Sequence, residues 1–253
     1  MGFGVLSLIK RFFRKVFFSA SLRSTQLSQE QQHILRQLEV SSDHIFITGK
    51  AGTGKSRLLQ HFTATTKKAA VIVAPTGAAA MAIKGQTIHS LFKLPSGPIE
   101  PRSLQVRQEV KPLLQHIDVV IIDEISMVRA DTMEGINRML QLARKSTLPF
   151  GGVQIIAFGD VYQLPPVVES PALLDYLKRI YGGPYFFNAL IWKRTDLRIC
   201  ELQHVFRQSD EQFKAALDAI RDDSYTQADL DFLNTRVTIP EKSLPDGIIV
   251  LTT

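Results

Sequence analysis

Glycines, a lysine and a serine stand at a regular spacing between His44 and Ser56, in the stretch HIFITGKAGTGKS. From Gly49 onward the stretch matches the phosphate-binding pattern Gly-x-x-x-x-Gly-Lys-Ser. Glycines let backbone N–H groups curl around phosphates, the Lys55 ammonium can reach the β- and γ-phosphates, and a serine hydroxyl is a hard oxygen ligand for Mg²⁺. The pattern predicts a site for ATP and Mg²⁺ whose nucleotide-binding residues are Gly49, Ala51, Gly52, Thr53, Gly54, Lys55 and Ser56.

Two carboxylates follow a second apolar run. Asp123 and Glu124 come directly after Val119–Ile122, which is typical of a buried strand. In enzymes with a phosphate-binding loop the ligand lies at the carboxyl ends of the strands, so both acids are expected beside the phosphates. Asp123 would hold Mg²⁺, and Glu124 would polarise the attacking water. Taken alone, the pair could also be a solvated strand end.

A third motif, FGDVYQLPPV from Phe158 to Val167, also follows an apolar run. The Gln163 side chain is neutral and can both donate and accept hydrogen bonds. It could therefore sense the γ-phosphate or orient the attacking water, while Pro165 and Pro166 stiffen the loop. The alternative interpretation is a surface turn.

Six apolar runs are expected to form strands, and helical patterns separate several of them. Strands that are apolar throughout and alternate with helices indicate an α/β fold, with a mostly parallel sheet covered by helices on both faces. The predicted strands are 45–48, 70–74, 119–122, 153–158, 197–202 and 248–252.

Two helices have clear signals at their first residues. Ser28 is the expected N-cap of a helix that runs to about Leu38, with Gln31 at the capping-box position. A second helix is predicted from Asp131 to Arg144, with Asp131 and Glu134 forming a capping box. Its apolar face would comprise Met133, Ile136, Met139, Leu140 and Ala143.

The 253 residues suffice for one large domain, or for one domain and part of another. The composition, 45% hydrophobic and 21% charged, is that of a soluble globular protein. Cys200 is the single cysteine, which excludes a disulfide framework and a zinc site with several cysteines. Residues 27–203 are predicted to form the first domain, with a proline-rich, largely irregular insertion at about 93–115.

Most of the net charge of +6 lies near the N-terminus. Residues 1–29 carry five basic side chains and no acid, so the remaining 25 basic and 24 acidic residues leave a charge of +1. A path for nucleic acid on the domain must therefore be a local patch. The basic, aromatic segment 1–26 could be a disordered tail, a transit-type presequence, or an amphipathic helix in which residues 1–23 contact a membrane. The tail is the preferred interpretation, although five phenylalanines argue against it.

The motifs, in this order, resemble the Pif family of superfamily one DNA helicases, which move 5′ to 3′ on single-stranded DNA. The resemblance covers about residues 27–253 and rests on LSQEQ, GKAGTGKS, APTGAAA, GQTIHSLF, IIDEISMV, PFGGVQIIAFGDVYQLPPV, HVFRQSDEQF and LDAIRDD. It implies a RecA-like ATPase domain, with roles in DNA repair, recombination or telomere maintenance. A cytoplasmic location is expected for a bacterial source, and a mitochondrial or nuclear one for a eukaryotic source.

The resemblance also implies roles for individual residues. Gln31 corresponds to a glutamine that contacts adenine, Gln163 to the residue that couples hydrolysis to movement, and Arg207 to an arginine finger. Lys55, Ser56, Asp123 and Glu124 keep the roles given above. The implied contacts to single-stranded DNA are Pro75, Thr76, Gly77, Ala78, Thr87, His89 and Phe92, with Phe92 offering a stacking surface.

Helicases of the resembled family use two RecA-like domains. Residues 204–253 are expected to begin the second one, so this chain is interpreted as the ATPase portion of such a helicase, which a second domain or subunit could complete in trans. The alternative is an ATP-gated module that binds single-stranded DNA without unwinding it. A third hypothesis, based on residues 1–23, is a membrane-associated ATPase with no role on nucleic acid.

Overall fold

The computed structural model describes residues 27–204 and 211–235. The N-terminal segment 1–26, Arg207 and the expected strand 248–252 lie outside the described residues. The chain divides into two compact units, with the boundary between residues 205 and 206. None of the helices in the described ranges is long and apolar enough to cross a bilayer.

Strands and helices alternate through most of the described chain. The strands are β1 (His44–Gly49), β2 (Ala70–Ala74), β3 (Gln86–Thr87), β4 (Val119–Ile122), β5 (Gln154–Phe158) and β6 (Leu197–Leu202). The helices are α1 (Gln29–Val40), α2 (Lys55–Thr65), α3 (Gly77–Ala82), α4 (Ile88–Phe92), α5 (Lys111–His116), α6 (Ala130–Arg144), α7 (Pro171–Tyr181), α8 (Glu211–Arg221) and α9 (Gln227–Asn234). Short 3-10 helices cover Pro101–Ser103, Ile125–Met127, Pro149–Gly152, Phe186–Asn188 and Leu190–Lys193.

The six strands form one parallel sheet in the order β3-β2-β4-β5-β1-β6. Successive side chains of a strand point to opposite faces, and both faces of this sheet are buried. Helices α1 and α2 cover one face, over Ile45, Ile47 and Ile121. Helices α4 to α7 cover the other face, over Phe46 and Val120. The predicted α/β class, with helices on both faces of a parallel sheet, is therefore confirmed.

The structure corrects one predicted helix start. Helix α6 begins at Ala130, and its N-cap Arg129 makes no side-chain capping bond, so Asp131 and Glu134 form no capping box. Both carboxylates have tertiary partners instead. Asp131 pairs with Arg129 and accepts from the backbone N–H of Ile99 at 2.9 Å, and Glu134 accepts from the backbone N–H of Ile191 at 2.6 Å. These partners satisfy distant buried donors, which a local capping box would leave unpaired.

The predicted insertion at 93–115 is irregular apart from the 3-10 helix Pro101–Ser103 and helix α5. Its apolar side chains nevertheless belong to the core beneath the sheet. Leu94, Ile99, Val110 and Leu114 are all buried there. The insertion is therefore anchored to the domain along much of its length.

His44, the first residue of β1, titrates in a buried setting. Its Nδ1 atom accepts a hydrogen bond from the backbone N–H of Ile155 at 3.0 Å, and its ring packs edge-on against Phe150 and Trp192. Burial lowers the pKa of His44 from 6.5 to about 4, and Asp43 opposes this shift. The proton would also occupy the nitrogen that accepts from Ile155, so the neutral ring is the one compatible with the fold.

We expect His44 to make the domain sensitive to acid. Because the pKa is lower in the folded than in the unfolded chain, protonation favours unfolding. The stabilising contribution is complete above about pH 6.5 and is lost as the pH falls to 4, at a cost of about 3 kcal/mol. Urea unfolding at a series of pH values should show this loss in the wild type and in the control His33→Gln, but not in His44→Phe. Parallel pH curves for wild type and His44→Phe would contradict it.

Candidate nucleotide and DNA site

The predicted motifs meet at one edge of the sheet because all the strands are parallel. The phosphate-binding loop follows β1, Gly159 follows β5, Asp123 follows β4, and Pro75 follows β2. In the sheet order, β5 separates β1 from β4, and β2 lies on the other side of β4. The two acids therefore lie between the predicted nucleotide residues and the predicted DNA residues.

The phosphate-binding loop joins β1 to the N-terminus of α2. Gly49 must be glycine, because its φ is 143° and a Cβ atom there would lie 2.7 Å from the carbonyl oxygen of Leu202. Gly54 is the N-cap of α2 and adopts the left-handed conformation, with φ 86°. The Lys55 ammonium donates to the carbonyl oxygens of Gly49 at 2.5 Å and Lys50 at 3.1 Å. The loop thus combines a folded-over lysine with the positive end of a helix, an arrangement suited to anions.

Gln31 connects the first helix to this loop. The predicted capping box is confirmed, because Ser28 Oγ accepts from the Gln31 N–H at 3.1 Å and Gln31 Oε1 accepts from the Ser28 N–H at 3.2 Å. The remaining amide nitrogen donates to the carbonyl oxygen of Thr53, inside the loop, at 3.3 Å. Gln31 is fully buried. The spacing of the sequence indicated the cap but gave no signal of the link to the loop, and contact with adenine stays a prediction.

Asp123 and Glu124 are held in a tight turn at the end of β4. Glu124 adopts the left-handed conformation, with φ 51° and ψ 46°, which is uncommon for a residue with a side chain. Burial and the neighbouring Glu124 carboxylate raise the pKa of Asp123 from 3.8 to about 6, while the Glu124 backbone N–H and Lys55 oppose the shift. The charge of Lys55 therefore acts on Asp123, and the two motifs meet.

The donors at this edge fit Mg²⁺. The Ser56 hydroxyl and the Asp123 carboxylate are hard oxygen ligands of the kind that Mg²⁺ prefers. Two adjacent carboxylates, one with a raised pKa, form a site whose charge a divalent cation would balance, lowering that pKa again. The chemistry of the residues is thus consistent with the predicted ion.

Gln163 has a buried anchor that the sequence did not reveal. Asp160 is fully buried, and its Oδ2 accepts from the Gln163 amide nitrogen at 3.4 Å. The Asp160 backbone carbonyl also accepts from the Gln163 N–H at 2.9 Å, and Oδ1 accepts from the Tyr162 N–H at 3.1 Å. Gln163 itself is exposed. A rigid turn therefore presents its amide at the edge where the acids lie.

Of the predicted DNA residues, some line a cavity, others are exposed on helix α3 or cap helix α4, and Phe92 is buried in the core. Pro75, Thr76 and His89 line a cavity of about 290 Å³, which also includes Arg129. Gly77 and Ala78 are exposed on α3, and Thr87 caps α4 by accepting from the Ser90 N–H at 3.1 Å.

Phe92 does not fit the predicted stacking role. Its side chain is fully buried in the core on the α4 side of the sheet, so it offers no surface to a base. The aromatic residue in GQTIHSLF packs the short helix α4 against the sheet instead. An aromatic side chain in a motif does not disclose whether it faces solvent or core, and only packing decides.

Residues 26–228 match the family model of PIF1-like helicases. The ATP-dependent DNA helicase PIF1 of Homo sapiens is 37% identical over 208 residues, covering 79% of this chain and 31% of that protein. The enzyme of the same name from Candida albicans is 35% identical over 238 residues, covering 88% of this chain and 26% of that protein. The crystal structure of a Bacteroides Pif1 helicase in complex with ADP-AlF3 and single-stranded DNA superposes with a TM-score of 0.82 at 39% identity, covering 88% of this chain and 52% of that one.

The present chain thus spans between a quarter and about half of the length of these relatives. The family match, in contrast, extends over most of the chain, from before α1 to the start of α9. The matched range includes the phosphate-binding loop, the two acids and the Gln163 turn. The chain belongs to the PIF1-like helicase family.

Proposed function

We propose that this chain is the ATPase portion of a DNA helicase that moves 5′ to 3′ on single-stranded DNA, powered by hydrolysis of Mg-ATP. One observation carries the proposal. The phosphate-binding loop, the Asp123–Glu124 pair and the Gln163 turn converge at one sheet edge, in a chain 39% identical to a helicase described in complex with ADP-AlF3 and single-stranded DNA. The carboxyl edge of a parallel sheet is where such folds bind their ligands.

The nucleotide side follows from the chemistry of each group. Lys55 and the N-terminus of α2 would bind the phosphates, Ser56 and Asp123 would hold Mg²⁺, and Gln31 would contact adenine. Mg²⁺ neutralises charge on the phosphates when bound. Glu124 would accept a proton from the attacking water, which Gln163 would help to orient. Arg207, outside the described residues, is the proposed arginine finger.

The DNA side is proposed to lie beyond β4, along Pro75, Thr76, Gly77, Ala78, Thr87 and His89. Strand β4 lies between β5 and β2, so a shift of its two acids on hydrolysis would be transmitted to both neighbours. The segment that follows Glu124 also runs directly into the wall of the cavity, through Met127 and Val128. This chain connection provides a physical link of the kind that can carry coupling between the two sites.

Partners and location are proposed from the family. Similar proteins occur in bacteria and in eukaryotes. We propose cytoplasmic action in a bacterial source, and action in the nucleus or mitochondrion in a eukaryotic one. A second helicase domain or subunit would complete the cleft that closes on ATP, and DNA repair, recombination or telomere maintenance are the proposed settings.

Strand displacement tests the proposal. We expect the chain, supplemented with the second helicase domain or subunit, to release the shorter strand from a duplex with a 5′ single-stranded tail, and to do so only with both ATP and Mg²⁺. A duplex with a 3′ tail of the same length is the matched control and should stay intact. Release from the 3′-tailed duplex alone, or from neither duplex, would contradict the helicase assignment.

A further inference from the structure

We propose that the cavity lined by Pro75, Thr76, His89 and Arg129 holds one nucleobase of single-stranded DNA rather than a backbone phosphate. The inference rests on the proposed function, because it assigns a part of the DNA side to a defined chemical group. The cavity has a volume of about 290 Å³, at the lower end of the range for ligand pockets. That volume suits a single planar group.

The walls of the cavity combine apolar surface with a few polar groups. Pro75 and Met127 line it and are partly exposed, and the exposed Val167 adds a further apolar side chain. Nucleobases have apolar faces and a polar edge, and they bind proteins by stacking on such surfaces while their edges form hydrogen bonds. A hydrated phosphate gains nothing from apolar walls.

Arg129 supplies a hydrogen-bond donor that is fixed in place. Its Nε and Nη2 atoms donate to the Asp131 carboxylate at 2.9 and 3.0 Å, and Nη2 also donates to the Gly97 carbonyl oxygen. The residue is only 9% exposed. No hydrogen bond within residues 27–204 and 211–235 uses its Nη1 atom, which therefore keeps both of its hydrogens for a ligand.

The charges around the cavity favour a neutral ligand. The guanidinium of Arg129 is neutralised by Asp131, which is fully buried. Burial, reinforced by Arg129, lowers the pKa of His89, so its ring is neutral at pH 7 and offers one donor and one acceptor. The Glu169 carboxylate lines the same cavity. A phosphate in the cavity would be repelled by this negative charge, and no uncompensated cation would offset the repulsion. A neutral base would not be repelled.

An abasic scan tests the inference without any change to the protein. A short thymidine oligonucleotide is bound to the chain, and one abasic nucleotide is moved along it position by position. We expect one position at which loss of the base weakens binding by about 5-fold to 100-fold, because a stacked base contributes on this order. The slope of log affinity against log salt should not change at that position, since no phosphate contact is lost.

Arg129→Lys assigns the effect to this cavity. Lysine keeps a charge for Asp131 but removes the fixed Nη1 donor. The matched control is Arg138→Lys, within helix α6, whose N-cap is Arg129. Arg129→Lys should bind the unmodified oligonucleotide more weakly than the wild type does. It should bind the most affected abasic oligonucleotide with the same affinity as the wild type, so the losses from the two changes do not add. The inference would be overturned if the two losses of affinity were additive, or if no position in the abasic scan were sensitive. It would also be overturned if Arg129→Lys reduced the slope of log affinity against log salt by about one.

The same titrations separate the inference from the function on which it rests. Wild-type binding of the unmodified oligonucleotide tests the DNA-binding function alone. Tight, salt-dependent binding with a featureless abasic scan would leave the proposed function in place and overturn the base pocket. Absence of any binding to single-stranded DNA would overturn both.

Discussion

Glu124→Gln is expected to reduce ATP turnover by roughly 10²-fold to 10⁴-fold, the usual contribution of a positioned general base. Glutamine preserves the size of the side chain and its hydrogen-bonding capacity but cannot accept the proton of the attacking water. Mg-ATP affinity should stay close to that of the wild type, because Lys55, Ser56 and Asp123 are unchanged. Stopped hydrolysis with retained binding is the expected signature.

A matched variant shows whether the effect belongs to this carboxylate. Glu201 is exposed on the edge strand β6, and Glu201→Gln removes the same charge from the same domain. Its turnover should equal that of the wild type. If Glu124→Gln retained full turnover, the proposed role of the acid at the end of β4 would be wrong, and another base would have to be sought.

Lys55→Ala is expected to lose both ATP binding and turnover, the latter by roughly 10²-fold to 10³-fold. The ammonium lies across the carbonyl oxygens of Gly49 and Lys50, and its charge acts on Asp123. Alanine removes the cation that reaches the phosphates and allows the pKa of Asp123 to rise further. Weakened binding distinguishes this variant from Glu124→Gln.

Lys67→Ala is the control for Lys55→Ala, because Lys67 is an exposed lysine in the turn between α2 and β2. Both variants should unfold at nearly the wild-type temperature, since Lys55 is only partly buried and the two carbonyl oxygens to which it donates lie within the phosphate-binding loop. Undiminished hydrolysis by Lys55→Ala would mean that the phosphate-binding loop is not the site of turnover.

The fold could be predicted because its signals are local. Strands β2 and β4 are apolar throughout, β1 contains the apolar run 45–47, and the Ser28–Gln31 capping box depends on residues three apart. Strand β3 was missed because a pair of polar residues, Gln86 and Thr87, carries no periodicity.

The site was predicted less completely because several of its contacts join distant parts of the chain. The sequence pattern indicates Asp131 as a helix cap, but its carboxylate accepts from the backbone N–H of Ile99, which is 32 residues away and comes close only in the folded chain. Asp160 is only three residues from Gln163, but its role as the anchor of that turn depends on its burial, which tertiary packing decides. Phe92 was misassigned because side-chain exposure is a property of packing.

We propose that this sheet edge hydrolyses Mg-ATP and that single-stranded DNA bound beyond β4 accelerates the reaction. Steady-state hydrolysis by the purified chain, with and without single-stranded DNA, tests it most directly. We predict turnover that requires Mg²⁺, rises with single-stranded DNA and disappears in Lys55→Ala. Binding of Mg-ATP without turnover, or slow turnover that DNA leaves unchanged, would contradict the claim and favour an ATP-gated DNA-binding module.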